Sequence, residues 1–186
     1  MAYIKNLGLL SQLRSESSNY IIRFRNGRMV QSGRGITFWF WPERASISEV
    51  PMDDREMTVF VKGRSKDFQD VGVQGSITWH VIDPQLLAQR VDFSIGLSNG
   101  IHRSEPIQRI ETRLTGLASQ AMLQYMAEKP VRELLDSGLE PLRARLESML
   151  AEAASLSEIG VGIVAIRLSN LAPSKELERA LQTPTF

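Results

Sequence analysis

The feature of the sequence that most constrains the fold is an alternation of apolar and polar residues between positions 71 and 81. The apolar set is Val71, Val73, Ile77, Trp79 and Val81, and the polar set is Gln74, Ser76, Thr78 and His80. Because successive side chains of a strand point to opposite faces, this pattern predicts a strand that is buried on one face, as in an antiparallel sheet. Gly75 falls on the apolar face, where it indicates a β-bulge or a close approach of another segment.

Further strand signals precede this run. Asn26-Gly27 separates two apolar segments, and because both residues accept a positive φ, the pair predicts a tight hairpin turn. Residues 37–41 are rich in aromatic residues that favour strands, and Pro42 ends that run. Two more strands are predicted over residues 46–50 and 57–61. The first half of the chain is therefore predicted to be mostly β-structure.

The second half shows the spacing of amphipathic helices. Asp83-Pro84 places a capping residue before a proline, which predicts a short helix that runs through Val91. Ser104-Glu105-Pro106 repeats the signal and predicts a longer helix. The apolar stripe of that longer helix consists of Ile107, Ile110, Leu114, Leu117 and Ala121.

The last part of the chain predicts further helices around one strand. Pro130 and Pro141 open two helices, and Gly138 and Gly160 are predicted to end them. Residues 161–168 then predict a buried strand. This order predicts an α+β fold with an antiparallel-rich sheet and a layer of amphipathic helices. Pro173-Ser174 predicts the start of one more helix.

The N-terminal segment, residues 1–17, is predicted to be separate from the main domain. Ile4, Leu7 and Leu10 would share one face of a short amphipathic helix, which would lie in the plane of a membrane or pack on the domain. No window of the sequence approaches the roughly 18–20 apolar residues that a membrane-spanning helix needs. A chain of this sequence that meets a membrane is therefore expected to lie on it.

The residue types that carry catalysis and metal binding are sparse. The chain has no cysteine, which excludes disulfides, thiolate catalysis and cysteine-based zinc sites. His80 and His102 have no partner at the spacing of a triad or a metal site. The acidic run 53–56 is contiguous rather than spaced around a loop, which favours a solvated turn over a cation site. We therefore predict a non-catalytic protein without cofactor or metal, and keep a hydrolase with an unrecognised site as the catalytic alternative.

Charge and aromatic residues of the first fifty positions suggest a contact surface. These positions carry seven Lys or Arg and three Asp or Glu, a net charge of +4. The net charge of the whole chain is only +1, and this low value argues against nucleic-acid binding. Trp39 and Trp41 alternate with Phe38 and Phe40, so one pair is predicted to fill the core. The other pair either packs under a helix or forms an exposed patch for membrane or protomer contact. The candidate contact residues are Trp39, Trp41, Arg23, Arg25, Arg28 and Arg34.

Six segments of the chain form a pattern known from one protein family. They read YIIRFRNGRMV (20–30), GRG (33–35), ISEVP (47–51), DFQDVGVQGSITWHVIDP (67–84), GVGIVAIRL (160–168) and LAPSKEL (171–177). Together with the order of predicted elements, these segments resemble the stomatin/prohibitin/flotillin superfamily, also called the SPFH or band-seven superfamily. The likeness covers residues 18–183.

The resemblance implies a wedge-shaped α+β domain that assembles into rings or cages on membranes. Members organise lipid microdomains and bind or restrain membrane proteases and channels, and the family brings no catalytic, cofactor or metal residues. The implied partners are further copies of the chain, membrane lipids and a membrane protease. The implied location is cytoplasmic and peripheral at the membrane. Residues 184–186 are predicted to be a tail in which the family's coiled coil is absent. The alternative is a soluble adaptor that binds a single protein partner.

Overall fold

The computed structural model describes residues 3–173. The strands are β1 (Tyr3–Leu7), β2 (Leu10–Arg14), β3 (Asn19–Arg25), β4 (Arg28–Arg34), β5 (Thr37–Phe40), β6 (Ala45–Pro51), β7 (Arg55–Arg64), β8 (Asp70–Val81) and β9 (Val161–Pro173). The helices are α1 (Pro84–Arg90), α2 (Pro106–Glu128), α3 (Val131–Ser137), α4 (Glu140–Ala151) and α5 (Ala154–Ser157). This content of antiparallel sheet and helix confirms the predicted α+β fold.

The chain divides into two compact units. The first consists of the described residues up to Asp54, together with His80–Ile110 and Ser155–Gly162. The second consists of Arg55–Trp79, Glu111–Ala154 and the described residues from Ile163 onward. The long elements β8, α2 and β9 each contribute to both units.

The first unit contains two three-stranded antiparallel sheets, ordered β1-β2-β5 and β4-β3-β6. Side chains of both sheets meet in one buried cluster, which contains Leu13, Ile21, Phe38, Phe40, Ile47 and Ile95. The predicted turn at Asn26-Gly27 is confirmed, since both residues have left-handed φ values of 50° and 75°. The strand over residues 37–41 is also confirmed, and the 3₁₀ turn Pro42–Arg44 follows it.

The N-terminal segment is a β-hairpin, so the predicted short helix is wrong. β1 pairs with β2 around a turn at Gly8, which has a φ of +77°. Ile4 lies opposite Leu13 and packs against the core, whereas Leu7 lies opposite Leu10 on the other side. The hairpin prevails because β2 also pairs with β5, and a helix of so few residues has too little internal stability to compete.

Within the first unit, Glu49 of β6 binds the loop after α1. Its carboxylate is buried and accepts a hydrogen bond of 2.8 Å from Asn19 Nδ2. Its backbone N–H donates to the carbonyl of Phe93, and its own carbonyl lies 2.8 Å from His102 Nε2. The His102 ring also meets the Phe93 ring edge-on, at 5.9 Å between centroids. His102 therefore has a structural role that explains its position without any catalytic partner.

Asp83 caps α1 as predicted. Its Oδ1 accepts hydrogen bonds from the backbone N–H groups of Gln85 and Leu86, at 3.0 and 2.9 Å. We expect Asp83→Ala to lower the free energy of unfolding by about 1 kcal/mol, because these donors lose their partner. Urea denaturation followed by circular dichroism measures the change. Asp83→Asn is the matched control and should retain most of the stability, and equal losses in both variants would contradict the capping role.

The second unit contains the sheet β7-β8-β9 and the helices that pack on it. β7 and β8 pair without a register shift from Arg55 opposite Trp79 to Arg64 opposite Asp70. The predicted apolar face of β8 is buried, as are Met57, Val59 and Val61 of β7. A Cβ at Gly63 would lie only 2.7 Å from side-chain atoms of Leu123 and Met126, so α2 packs closely on β7.

Gly75 marks a close approach between strands, not a bulge. A Cβ there would collide with the carbonyl oxygen of Arg167 on β9, while the pairing of β7 with β8 continues past it.

The prediction that one helix runs from Pro141 to Gly160 is wrong, because α4 ends at Ala151 and α5 follows. β9 is longer than predicted and continues to Pro173. The helix predicted from Ser174 lies outside the described residues.

Candidate functional site

The side of the β1-β2-β5 sheet that is turned away from the core carries an unusual set of exposed side chains. We call it the outer face. It consists of the strand residues Tyr3, Lys5, Leu7, Leu10, Gln12, Arg14, Thr37 and Trp39, together with the adjacent turn residue Leu9 and Trp41, which follows β5. The register brings them together in rows across the sheet, with Trp39 opposite Gln12, which is in turn opposite Lys5. This face is the candidate functional site of the first unit.

Apolar side chains dominate one part of the outer face. Five large ones are exposed: Leu9 (88%), Tyr3 (67%), Trp41 (54%), Leu7 (52%) and Trp39 (48%). A cluster of this kind on a folded domain indicates a surface that contacts lipid or protein. Indole rings in particular favour the boundary between hydrocarbon and water, because they combine an apolar body with a polar N–H group.

The alternation along β5 explains why the tryptophans are exposed. Phe38 and Phe40 point into the core, with exposures of 7% and 1%, and their rings lie 6.0 Å apart. Trp39 must then point to the opposite side of the sheet. Trp41 follows it in an extended conformation, immediately before the 3₁₀ turn. Of the two alternatives left open by the sequence, the structure therefore shows the exposed aromatic pair.

A hollow next to the apolar part of the outer face contains two cationic side chains. It has a volume of about 800 Å³, and its lining includes Tyr3, Lys5, Gln12, Arg14 and Thr37. Within residues 3–173, neither Lys5 nor Arg14 makes an ion pair. Because Glu16 also lines the hollow, its charged side chains Lys5, Arg14 and Glu16 sum to one positive charge, directly beside apolar side chains.

The four candidate arginines lie on the other sheet of the first unit, not on the outer face. Arg23 and Arg25 belong to β3, and Arg28 and Arg34 belong to β4. The guanidinium of Arg23 is half-buried and lies 5.0 Å from the centroid of the Phe38 ring. Burial, and to a smaller extent the charge of Arg25, lowers the pKa of Arg23 below its ordinary value. Arg23 thus contacts the core, and Arg25 lies opposite Arg28 beside the hairpin turn.

Sequence reasoning missed Lys5 and Arg14 because it treated the N-terminal segment as a helix. In a helix these residues belong to different faces, whereas in the hairpin they lie on the same face. Gly8 was the available signal, since a glycine between two apolar stretches favours a turn. A strand interpretation on both sides of Gly8 would have placed Tyr3, Lys5 and Leu7 on one face.

Elsewhere among residues 3–173, the two histidines have local contacts. His80 Nδ1 lies 3.3 Å from Asp54 Oδ1, and both side chains are substantially exposed. Throughout the described range, no three His, Asp or Glu residues converge in a way that could hold a metal ion. Nor does any helix of that range combine the length and apolarity needed to span a membrane.

Comparison with known proteins gave one family. The sequence model of the SPFH domain / Band 7 family matches residues 13–185, which is nearly the whole chain. A search of curated protein sequences gave no match. The family match includes β5 and the last two residues of β2, as well as both units of the fold, and β1 precedes it.

Proposed function

Because the chain belongs to the SPFH domain / Band 7 family, we propose that it is a non-catalytic scaffold that lies on a membrane through its outer face and assembles there with copies of itself. One observation carries the membrane part of the proposal. The outer face combines five exposed apolar side chains with Lys5 and Arg14, which make no ion pair among the described residues and leave the hollow that Glu16 also lines with a net positive charge. That combination matches the two layers of a membrane surface, which are the acyl boundary and the anionic headgroups.

The two kinds of side chain contribute in different ways. Trp39, Trp41 and Leu9 would enter the headgroup and acyl boundary, where the hydrophobic effect favours their transfer from water. Lys5 and Arg14 would meet anionic headgroups, and each cation close to such a surface contributes about 1 kcal/mol. Anionic lipids are concentrated in cytoplasmic leaflets. The proposed location is therefore peripheral, at the cytoplasmic side of a membrane.

Self-assembly gives such a domain its function. One copy covers a small area of membrane, whereas many copies in contact hold an extended patch and slow the exchange of lipids and proteins through it. Binding also becomes stronger, because each further contact in an assembly is effectively intramolecular. We propose that assemblies of this kind organise a membrane microdomain or restrain a membrane protease or channel.

The proposal predicts binding to vesicles and a mass above that of a monomer. We expect residues 1–186 to sediment with vesicles of phosphatidylcholine and phosphatidylserine and to bind pure phosphatidylcholine vesicles more weakly. Added salt should reduce only the difference in affinity between the two vesicle types. Salt screens the charges of Lys5 and Arg14 but leaves the apolar contribution to binding. Static light scattering should show concentration-dependent association. A chain that ignores both vesicle types and stays monomeric would contradict the proposal and favour an adaptor for one protein partner.

A further inference from the structure

The turn between β7 and β8 presents an exposed phenylalanine in a strained conformation. Phe68 has a φ of +59° and is 80% exposed. It is the last residue of a three-residue hairpin loop, where the left-handed position is normally taken by glycine or asparagine. A bulky side chain there is destabilising, so its presence calls for a compensating role.

The surroundings of this turn hold the strained conformation in place. Ser65 and Gln69 pair below the loop, with a hydrogen bond of 2.9 Å from Ser65 N to Gln69 O, and Phe68 N donates to Ser65 O at 2.9 Å. Asp67 Oδ1 accepts from Val131 N at 2.9 Å. The loop is thus fixed to the start of α3, while within the described part of the chain the phenyl ring itself has no aromatic or cationic partner. We call Lys66, Asp67 and Phe68 the tip.

A groove lies on the β7-β8-β9 sheet of the same unit. It has a volume of about 710 Å³, and its lining includes Phe60, Lys62, Gly72, Gln74, Asn170 and Ala172. The Phe60 side chain is 61% exposed and forms one wall. Apolar atoms make up most of the surface, so the groove favours an apolar side chain over a polar ligand.

Gly72 keeps this groove open, and neither the backbone nor the packing requires a glycine there. A Cβ on Gly72 would make only ordinary contacts, 3.6 Å from the Phe60 ring and 3.9 Å from the carbonyl of Ala172. In the same sheet, Gly75 is needed, because a Cβ there would collide with the backbone carbonyl of Arg167 on β9. A glycine inside a strand that packing does not require often marks a place where another group approaches.

Asp67 on the tip and Lys62 in the groove carry opposite charges. Lys62 Nζ lies 5.5 Å from the centroid of the Phe60 ring and makes no ion pair among the described residues. Asp67, directly before Phe68, is exposed on the tip. The hydrogen bond from Ser65, and then that from Val131, lowers the pKa of Asp67, which keeps its carboxylate ionised. The tip thus presents an aromatic ring beside a carboxylate, with Lys66 next to them. The groove presents the ammonium of Lys62, since the other two charged residues of its lining, Arg64 and Asp70, pair with each other at 3.2 Å.

We propose that Phe68 of one copy inserts into the groove above Gly72 of a second copy, with Asp67 of the first copy facing Lys62 of the second. Every copy carries both surfaces, so the contact repeats head-to-tail along an assembly. A membrane is the less suitable occupant for the tip, because the nearby cation Lys129 is already paired with Glu133 at 3.0 Å and the tip residues Lys66 and Asp67 together carry no net charge. The inference rests on the proposed self-assembly and identifies one of its contacts.

Phe68→Gly separates this role from a structural one. Glycine relieves the left-handed strain, so we expect the melting temperature to rise by about 2–4 °C. At the same time, the association constant measured by sedimentation equilibrium should fall at least tenfold. Ile101→Gly removes a loop side chain that is 53% exposed in the first unit, and it should leave association unchanged. If the wild-type chain associates and Phe68→Gly associates equally well, the proposed contact is overturned and the proposed function still stands.

The absence of cysteine from the sequence allows a direct test of proximity. Phe68→Cys protein mixed with Gly72→Cys protein should give a mixed disulfide dimer under mild oxidation. The pair Ile101→Cys and Gly72→Cys should give little mixed disulfide dimer, and equal yields from the two pairs would overturn the proposal.

Gly72→Leu should fill the groove and abolish association, whereas Gly72→Ala should preserve it, since a methyl group fits. If Phe68→Gly weakens vesicle binding and leaves association intact, the tip contacts lipid and the proposal fails.

Discussion

Replacing Trp39 and Trp41 together with serine is expected to weaken binding to phosphatidylserine-containing vesicles about a hundredfold. Both side chains expose about half of their surface on the outer face. Aromatic side chains bury roughly 150–250 Å² each, so the two indoles offer roughly 200 Å² to lipid, or about 5 kcal/mol at about 25 cal/mol per Å². Insertion to the depth of the headgroups realises about half of this, which corresponds to about a hundredfold in affinity. Vesicle co-sedimentation over a range of lipid concentrations measures the loss.

A matched control separates this effect from a general loss of surface hydrophobicity. Ile101→Ser removes a large apolar side chain that is 53% exposed and belongs neither to the outer face nor to the groove, and it should leave vesicle binding unchanged. The double variant should also unfold within about 1 kcal/mol of the wild type, since it removes exposed side chains. Equal vesicle binding by the double variant and the wild type would show that the outer face does not contact lipid.

The elements that the sequence predicted correctly are those with strong local signals. The alternation of β8, the Asn26-Gly27 turn and the Asp83 cap depend on neighbours within a few residues, so tertiary contacts do not need to be known. The family resemblance inferred from the six segments is confirmed by the match over residues 13–185. The close approach at Gly75 was one of two alternatives, and only the position of β9 decided between them.

The candidate site was less predictable because it depends on pairing between distant segments. Alternation established that Trp39 and Phe40 face opposite sides of a strand, but the core between the two sheets determines which side is buried. The N-terminal hairpin depends on β5, which lies more than twenty residues away from β2. The arginines were grouped with the tryptophans because they are close in sequence, yet β3 and β4 belong to a different sheet.

Phe40→Ala is expected to lower the free energy of unfolding by about 3–5 kcal/mol. Phe40 is 1% exposed and packs in the cluster with Leu13, Ile21 and Phe38, so truncation leaves a cavity that closely packed sheets do not collapse to fill. Domains of this size are stable by only about 5–15 kcal/mol, so the loss is a large fraction of the total. Urea denaturation followed by far-ultraviolet circular dichroism measures it.

The adjacent residue supplies the control for Phe40→Ala. Trp41→Ala removes a larger aromatic side chain from the same segment, but that side chain is 54% exposed, so the loss of stability should stay below about 1 kcal/mol. The two variants should also differ in vesicle binding, measured under conditions in which both are folded. Trp41→Ala should bind vesicles more weakly than the wild type, and Phe40→Ala should bind them like the wild type. If Trp41→Ala were the more destabilising change, the assignment of core and outer face along β5 would be inverted, and the membrane proposal would lose the surface on which it depends.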